Sequence, residues 1–92
     1  MLIHVRFDTQ VRRLAGCNRI SVDVKDSASL EQIVQQVAKE GTEQLRSTLL
    51  DDQQSLRSSI LVFLGDDLVA KDQPLVFREG SELTLTTLIS GG

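Results

Sequence analysis

Between Ser29 and Gly41 the apolar residues Leu30, Ile33, Val34 and Val37 fall at i, i+3, i+4 and i+7, a single stripe along one helix. The segments before it keep a different period. Ile3, Val5 and Phe7 alternate with His4, Arg6 and Asp8, and Ile20, Val22 and Val24 alternate with Ser21, Asp23 and Lys25. That is the pattern of strands with one wet face. A helix with one apolar stripe has to lay it on a matching apolar surface, and these strands provide one. The chain is therefore expected to be an α+β domain, a sheet with one main helix packed on one face.

The helix has legible ends. Ser29 and Gln32 stand at S-x-x-Q spacing, a capping box that satisfies two otherwise orphaned backbone N–H groups, and Gly41 is placed to stop the helix. The first two strands read as a hairpin whose connection, Val11 to Asn18, is longer than a two-residue turn. After the helix, Leu45, Leu49 and Leu50 suggest a shorter helical turn, and Asp51 to Ser55 is a polar loop. Ile60 to Leu64 is continuously apolar, as in a strand covered on both sides or lying near a partner surface. Gly65-Asp66-Asp67 turns it. Leu68-Val69 and Leu75-Val76-Phe77 are expected to be short extended pieces around a turn at Asp72-Gln73-Pro74. Gly80 precedes a last strand, Leu83 to Leu88, with Leu83 and Leu85 on one face and Thr84 and Thr86 on the other. The order is ββαββ, and Phe7, Val22, Ile33 and Leu85 are expected to meet in its core.

At 92 residues, 40% hydrophobic and 25% charged, the chain is expected to form one domain over residues 1–92, with a tail at 88–92. A domain of this size has little room for an enclosed substrate pocket, which typically needs about 300 to 1,000 Å³. It is more readily something bound or acted upon than an enzyme. Its formal charge is −3 and its ten basic residues are scattered along the sequence, which disfavours a nucleic-acid partner. No signal-peptide pattern opens the chain and no apolar run reaches the ~20 residues that span a bilayer, so a cytoplasmic location away from membranes is expected.

The segment Leu88-Ile89-Ser90-Gly91-Gly92 points to function. Two successive glycines hold neither strand nor helix well. They make a thin arm, and five residues at 3.3 to 3.6 Å each reach roughly 16 to 18 Å. Such an arm suits threading a terminal carbonyl into a narrow active site on another protein. Nothing within it offers a general base, a nucleophile or a metal ligand, so a partner would have to supply the chemistry.

Val5-Arg6-Phe7 with Gln10-Val11-Arg12-Arg13-Leu14-Ala15-Gly16, then Asp72-Gln73-Pro74-Leu75, Glu79-Gly80-Ser81-Glu82 and Ser90-Gly91-Gly92, together resemble the MoaD/ThiS-like ubiquitin-fold sulfur carriers, the small subunit of molybdopterin synthase and its relatives. The resemblance covers nearly the whole chain and implies a ubiquitin-like β-grasp fold with a C-terminal Gly-Gly tail. It implies that an E1-like adenylating enzyme uses ATP to activate the Gly92 carboxylate, with Gly91 beside it, and that sulfur then converts it to a thiocarboxylate. The carrier would bind no cofactor or metal of its own. It would deliver sulfur to a synthase, either the large subunit of molybdopterin synthase or another biosynthetic enzyme. Thr86-Thr87-Leu88 stands where molybdopterin carriers usually have aromatic residues and prolines, and Leu45 to Arg57 is reminiscent of carriers that serve cysteine synthesis. The acceptor pathway, whether molybdopterin, thiamine, cysteine or another, stays open.

Leu61, Phe63 and Leu68 are candidates for an apolar partner surface on the sheet face away from the helix, together with Ile89 and Ser90 of the tail. Cys17 reads as a small filler in a loop near the core rather than a sulfur relay. His4 has no second His or Cys at ligand spacing. Arg12 and Arg13 read as a solvated charge pair, and Asp66-Asp67 as a turn. Two other functions fit the same residues: a protein modifier joined through Gly92 to target lysines, and a non-catalytic β-grasp interaction module.

Overall fold

A computed structural model describes residues 1–70 and 73–87; Lys71, Asp72 and Leu88 to Gly92 lie outside the described residues. The described elements run in the order β1 (Leu2–Phe7), α1 (Thr9–Ala15), β2 (Arg19–Asp23), α2 (Leu30–Glu40), α3 (Glu43–Leu49), β3 (Ile60–Leu64), β4 (Asp67–Val69) and β5 (Glu82–Thr87). The five strands form one mixed sheet, ordered β2-β1-β5-β3-β4. β1 and β5 run parallel in its centre and every other pair is antiparallel. The expected strand, strand, helix, strand, strand frame is present, with the expected short helix at Leu45 to Leu49 as α3 and the expected short piece at Leu68-Val69 as β4, while α1 is added to it. None of the described helices is long and apolar enough to cross a membrane.

The two periods of the sequence build one core. Ile3, Val5 and Phe7 from β1, Val22 from β2, Leu83 and Leu85 from β5, and Ile60 and Val62 from β3 meet Leu30, Ile33, Val34 and Val37 of α2, and all are buried. Phe7, Val22, Ile33 and Leu85 converge as their alternation requires. Each fully buried Val, Leu, Ile or Phe contributes on the order of 1.5–3 kcal/mol, so the shared interior is what holds the helices to the sheet. α3 adds Leu45 and Leu49, and Leu50 and Leu56 close the end of the core through an isolated bridge.

The capping box at α2 is formed on both sides. The Gln32 N–H donates to Ser29 Oγ at 3.1 Å, and the Ser29 N–H donates to Gln32 Oε1 at 2.9 Å. Gly41 ends α2 in extended rather than left-handed backbone, φ −104°. Its requirement is steric: a Cβ there would lie 2.6 Å from Cδ2 of buried Leu45, because Gly41 and Thr42 alone separate α2 from α3. The β3–β4 hairpin turns on Gly65-Asp66, with Leu64 opposite Asp67 and Gly65 at φ 60°. That is the position where a type II′ turn takes glycine.

Two expectations are corrected. The β1–β2 connection holds the helix α1, of which only Val11 is buried. Leu75-Val76-Phe77 forms no strand; Phe77 tucks into the core while Val76 is 79% exposed. Both central strands already have neighbours on each side, so no ladder is open to that segment there.

Candidate functional site

The sheet covers the helices with one face and leaves the other open. On the open face the register aligns Arg19, Arg6, Thr84, Phe63 and Leu68 in one row across all five strands. Leu61 sits beside Phe63's row, opposite Thr86. Leu61, Phe63 and Leu68, expected from sequence to face away from the helices, are thereby brought together: Leu61 and Phe63 half-buried, Leu68 59% exposed. The continuously apolar β3 is thus split, with Ile60 and Val62 inward and Leu61 and Phe63 outward. A cross-strand Phe–Leu pair of this kind is a unit of sheet stability and, when open on one side, an apolar contact surface.

The other half of the open face is cationic. Arg6, Arg12 and Arg19 border a shallow cleft of about 270 Å³ with Phe7, Asp8, Asn18 and Glu82. Arg6 Nε lies 3.2 Å from Asp8 Oδ1, and Arg19 Nε lies 3.9 Å from Glu82 Oε2. The β1–β2 register sets Arg6 opposite Arg19, and Arg12 borders the same cleft from α1. Arg12 and Arg13 are both exposed, as a solvated pair would be.

β5 is the central strand and ends at Thr87, with Leu88 to Gly92 next in sequence. The expected tail residues Ile89, Ser90, Gly91 and Gly92 lie outside the described residues. At the end of β5, Thr9 Oγ1 lies 3.0 Å from Thr86 Oγ1 and 3.1 Å from Thr87 Oγ1. Sequence reasoning missed Thr9, since a lone Thr after a strand carries no periodic signal.

Cys17 corrects an expectation: it is exposed in the α1–β2 connection rather than a core filler. α1 turns the chain outward there, and Val11 fills the space beneath. His4 Nδ1 lies 2.8 Å from Ser21 Oγ, a cross-strand polar pair on the open face. Among the described residues, no group of three or more His, Cys, Asp or Glu side chains is placed to hold a metal ion.

Several solved structures share this architecture. The small archaeal modifier protein SAMP1 of Haloferax volcanii superposes with a TM-score of 0.85 at 22% identity, both chains covered in full. Urm1 of Trypanosoma brucei gives 0.75 at 21% identity, over 99% of this chain and 95% of that one. The fold is the ubiquitin-like β-grasp. A third β-grasp match, at a TM-score of 0.59 and 22% identity with both chains fully covered, comes from the complex of subunits 1 and 2 of the Helicobacter pylori molybdopterin-converting factor. No family model matches the chain, and no curated protein matches its sequence. Leu61 of the open face stands opposite Thr86, one residue before the last described residue of β5.

Proposed function

We propose that this β-grasp domain is a sulfur carrier: an E1-like enzyme adenylates the Gly92 carboxylate, and sulfur then replaces one of its oxygens. The observation that carries this is the place of β5. The central strand, held on both sides, reaches Thr87 beside the Leu61 edge of the open face, and Leu88 to Gly92 follow it in sequence. The Arg6, Arg12 and Arg19 side would complement an acidic partner surface, and the Leu61, Phe63 and Leu68 side would supply the desolvated contacts that dominate affinity.

A carboxylate is a poor acceptor for nucleophiles, so it has to become a mixed anhydride first. One of its oxygens attacks the α-phosphorus of ATP and pyrophosphate leaves. Hydrosulfide then attacks the carbonyl carbon, and AMP departs with the bridging oxygen, leaving a thiocarboxylate. The partner binds the ATP; the carrier holds no cofactor and supplies no catalytic group. Such ATP-fed chemistry belongs in the cytoplasm, and a synthase that accepts the sulfur would bind the carrier as a second chain, as subunits 1 and 2 of the Helicobacter pylori molybdopterin-converting factor form a complex.

The fold shared with SAMP1 favours a second outcome for the same activated carbonyl, attack by a lysine amine to give an isopeptide bond. Intact mass separates the two. After incubation with MgATP, the E1-like enzyme and sodium sulfide, the carrier should exchange one oxygen for sulfur. Deleting Gly92 shortens the arm by roughly 3.3 to 3.6 Å, well beyond near-attack tolerance, and should abolish the exchange. Sulfur loading of the truncated chain at the parent rate would refute the carrier function. A branched peptide ending in Gly92, without sulfur loading, would favour the modifier.

A further inference from the structure

Thr9 carries a backbone strain that packing alone does not require. Its φ is 55°, in the left-handed region where a β-branched residue is an outlier and where Gly, Asn or Asp are the ordinary occupants. Its hydroxyl is fully engaged. It lies 2.7 Å from the Asp8 carbonyl oxygen, to which it donates, and 3.0 and 3.1 Å from the hydroxyls of Thr86 and Thr87. A hydroxyl has one proton and two acceptor sites, so with that proton on Asp8 the Thr9 oxygen serves the Thr86 and Thr87 groups around it as an acceptor. The Thr87 N–H points at the same oxygen from 3.4 Å, and the Asp8 N–H donates to the Leu85 carbonyl at 3.1 Å. The junction of β1 and α1 is thereby laced to the last residues of β5, from the far end of the sequence. Strain of this kind persists where the surroundings over-determine it, and it gathers at functional positions.

We propose that Thr9 is a positioning residue, a clasp that fixes the point from which the Gly91-Gly92 arm is measured. This rests on the carrier function proposed above. The ends of elements fray unless they are tied down. If β5 unzipped by one residue at Thr87, the reach of Gly92 would shift by roughly 3.3 to 3.6 Å. The step it serves forms a bond from a Gly92 carboxylate oxygen to the α-phosphorus of ATP, breaks the α–β phosphoanhydride and releases pyrophosphate, with no change of oxidation state. Thr9 touches none of these atoms; it acts through the start of the arm. A glycine at position 9 would remove the strain and the clasp together.

The test is ATP–pyrophosphate exchange with the E1-like adenylating enzyme of the same organism, using the full chain. Because the proposed docking side chains Leu61, Phe63 and Leu68 are left unaltered, Thr9→Val and Thr9→Gly should leave KM within about twofold of the parent, while kcat falls about tenfold or more, a 1 Å misplacement being able to cost on the order of a hundredfold. Thr9→Ser, which keeps the hydroxyl, should restore kcat. In parallel, NMR hydrogen exchange at the Thr87 amide should quicken in Thr9→Val and not in Thr9→Ser, with Val5 and Leu83 unchanged. Should Thr9→Val fail to fold, Thr86→Val/Thr87→Val removes the same hydroxyls from strand positions that favour β-branched residues, and the same fall in kcat is expected. A parent that exchanges and variants that match it in kcat overturn the clasp alone. A parent that gives no exchange overturns the carrier function, and the clasp with it.

Discussion

Phe7→Ala tests the core most directly. Phe7 is 1% exposed, lies opposite Leu85 in the parallel β1–β5 ladder, and its N–H donates to the Asn18 carbonyl at 2.8 Å. That backbone bond holds the ring where β1, β5, α1 and α3 approach each other, so truncation leaves a cavity that the backbone cannot readily close. Removing such a ring costs about 3–5 kcal/mol. At ~0.05–0.15 kcal/mol per residue, a 92-residue chain has roughly 5 to 14 kcal/mol of stability in all. The variant should therefore lose between about a fifth and all of it. At roughly 4–8 °C per kcal/mol for a domain near this size, its midpoint should fall by at least about 12 °C. The chain has no Trp or Tyr, so urea and thermal unfolding are followed by far-UV circular dichroism. Phe63→Ala is the control: half-buried on the open face, it leaves no enclosed cavity and should cost about 1 kcal/mol. A Phe7→Ala transition that overlays the parent, or a Phe63→Ala loss as large as that of Phe7→Ala, would refute the assignment of inner and outer faces.

Phe63→Asp, Leu61→Asp and Leu68→Asp should each stay folded, and at least one should weaken binding to the activating enzyme by about 2 kcal/mol, some thirtyfold, by titration calorimetry; unaltered affinity in all three moves the interface elsewhere. Ser29→Ala should cost about 1 kcal/mol in urea unfolding and Ser29→Asp far less, because a carboxylate can still accept the Gln32 N–H. Glu43 is held below the ordinary glutamate range, first by its hydrogen bond from Arg46 and then by that residue's charge. A depressed carboxyl stabilises the fold above the ordinary range and loses that effect as pH falls through its lowered value, so Glu43→Gln should flatten a small, salt-screened acid limb of the stability profile. An acid limb of equal slope in both proteins would show that the pair does nothing for the fold.

The elements with long, clean periods were legible in the sequence. The stripe of α2 and the alternation of β1, β2 and β5 came through because each turns one apolar face to the core, fully buried in α2, β1 and β5 and half-buried at Ile20 of β2. α1 did not, since only Val11 of its seven residues is buried and no stripe can be read from one position. Phe77 misled for the opposite reason: a single buried anchor in a loop looks like part of a strand. On the open face the residue types of the Leu61, Phe63 and Leu68 patch were visible, whereas the arginine cleft was not. Periodicity says which side of a strand a residue takes but not which residue stands opposite, so the meeting of Arg6 with Arg19 was hidden, and Arg12 joins them from α1, a helix the sequence did not disclose. The exposure of Cys17 likewise depends on α1, which the sequence did not disclose.

The parallel pairing of β1 with β5 has a kinetic consequence. His4 lies opposite Glu82 and Phe7 opposite Leu85, so the centre of the sheet joins residues from opposite ends of synthesis. The β1–β2 hairpin and α2 can gather early on the ribosome, but β3 and β4 have no neighbour to join them to β1 until β5 arrives. Loop closure over most of the chain makes this the slow, cooperative step. Until β5 is in place, the row from Arg19 and Arg6 to Phe63 and Leu68 is not joined, so the open face on which the proposed partner would dock does not yet exist.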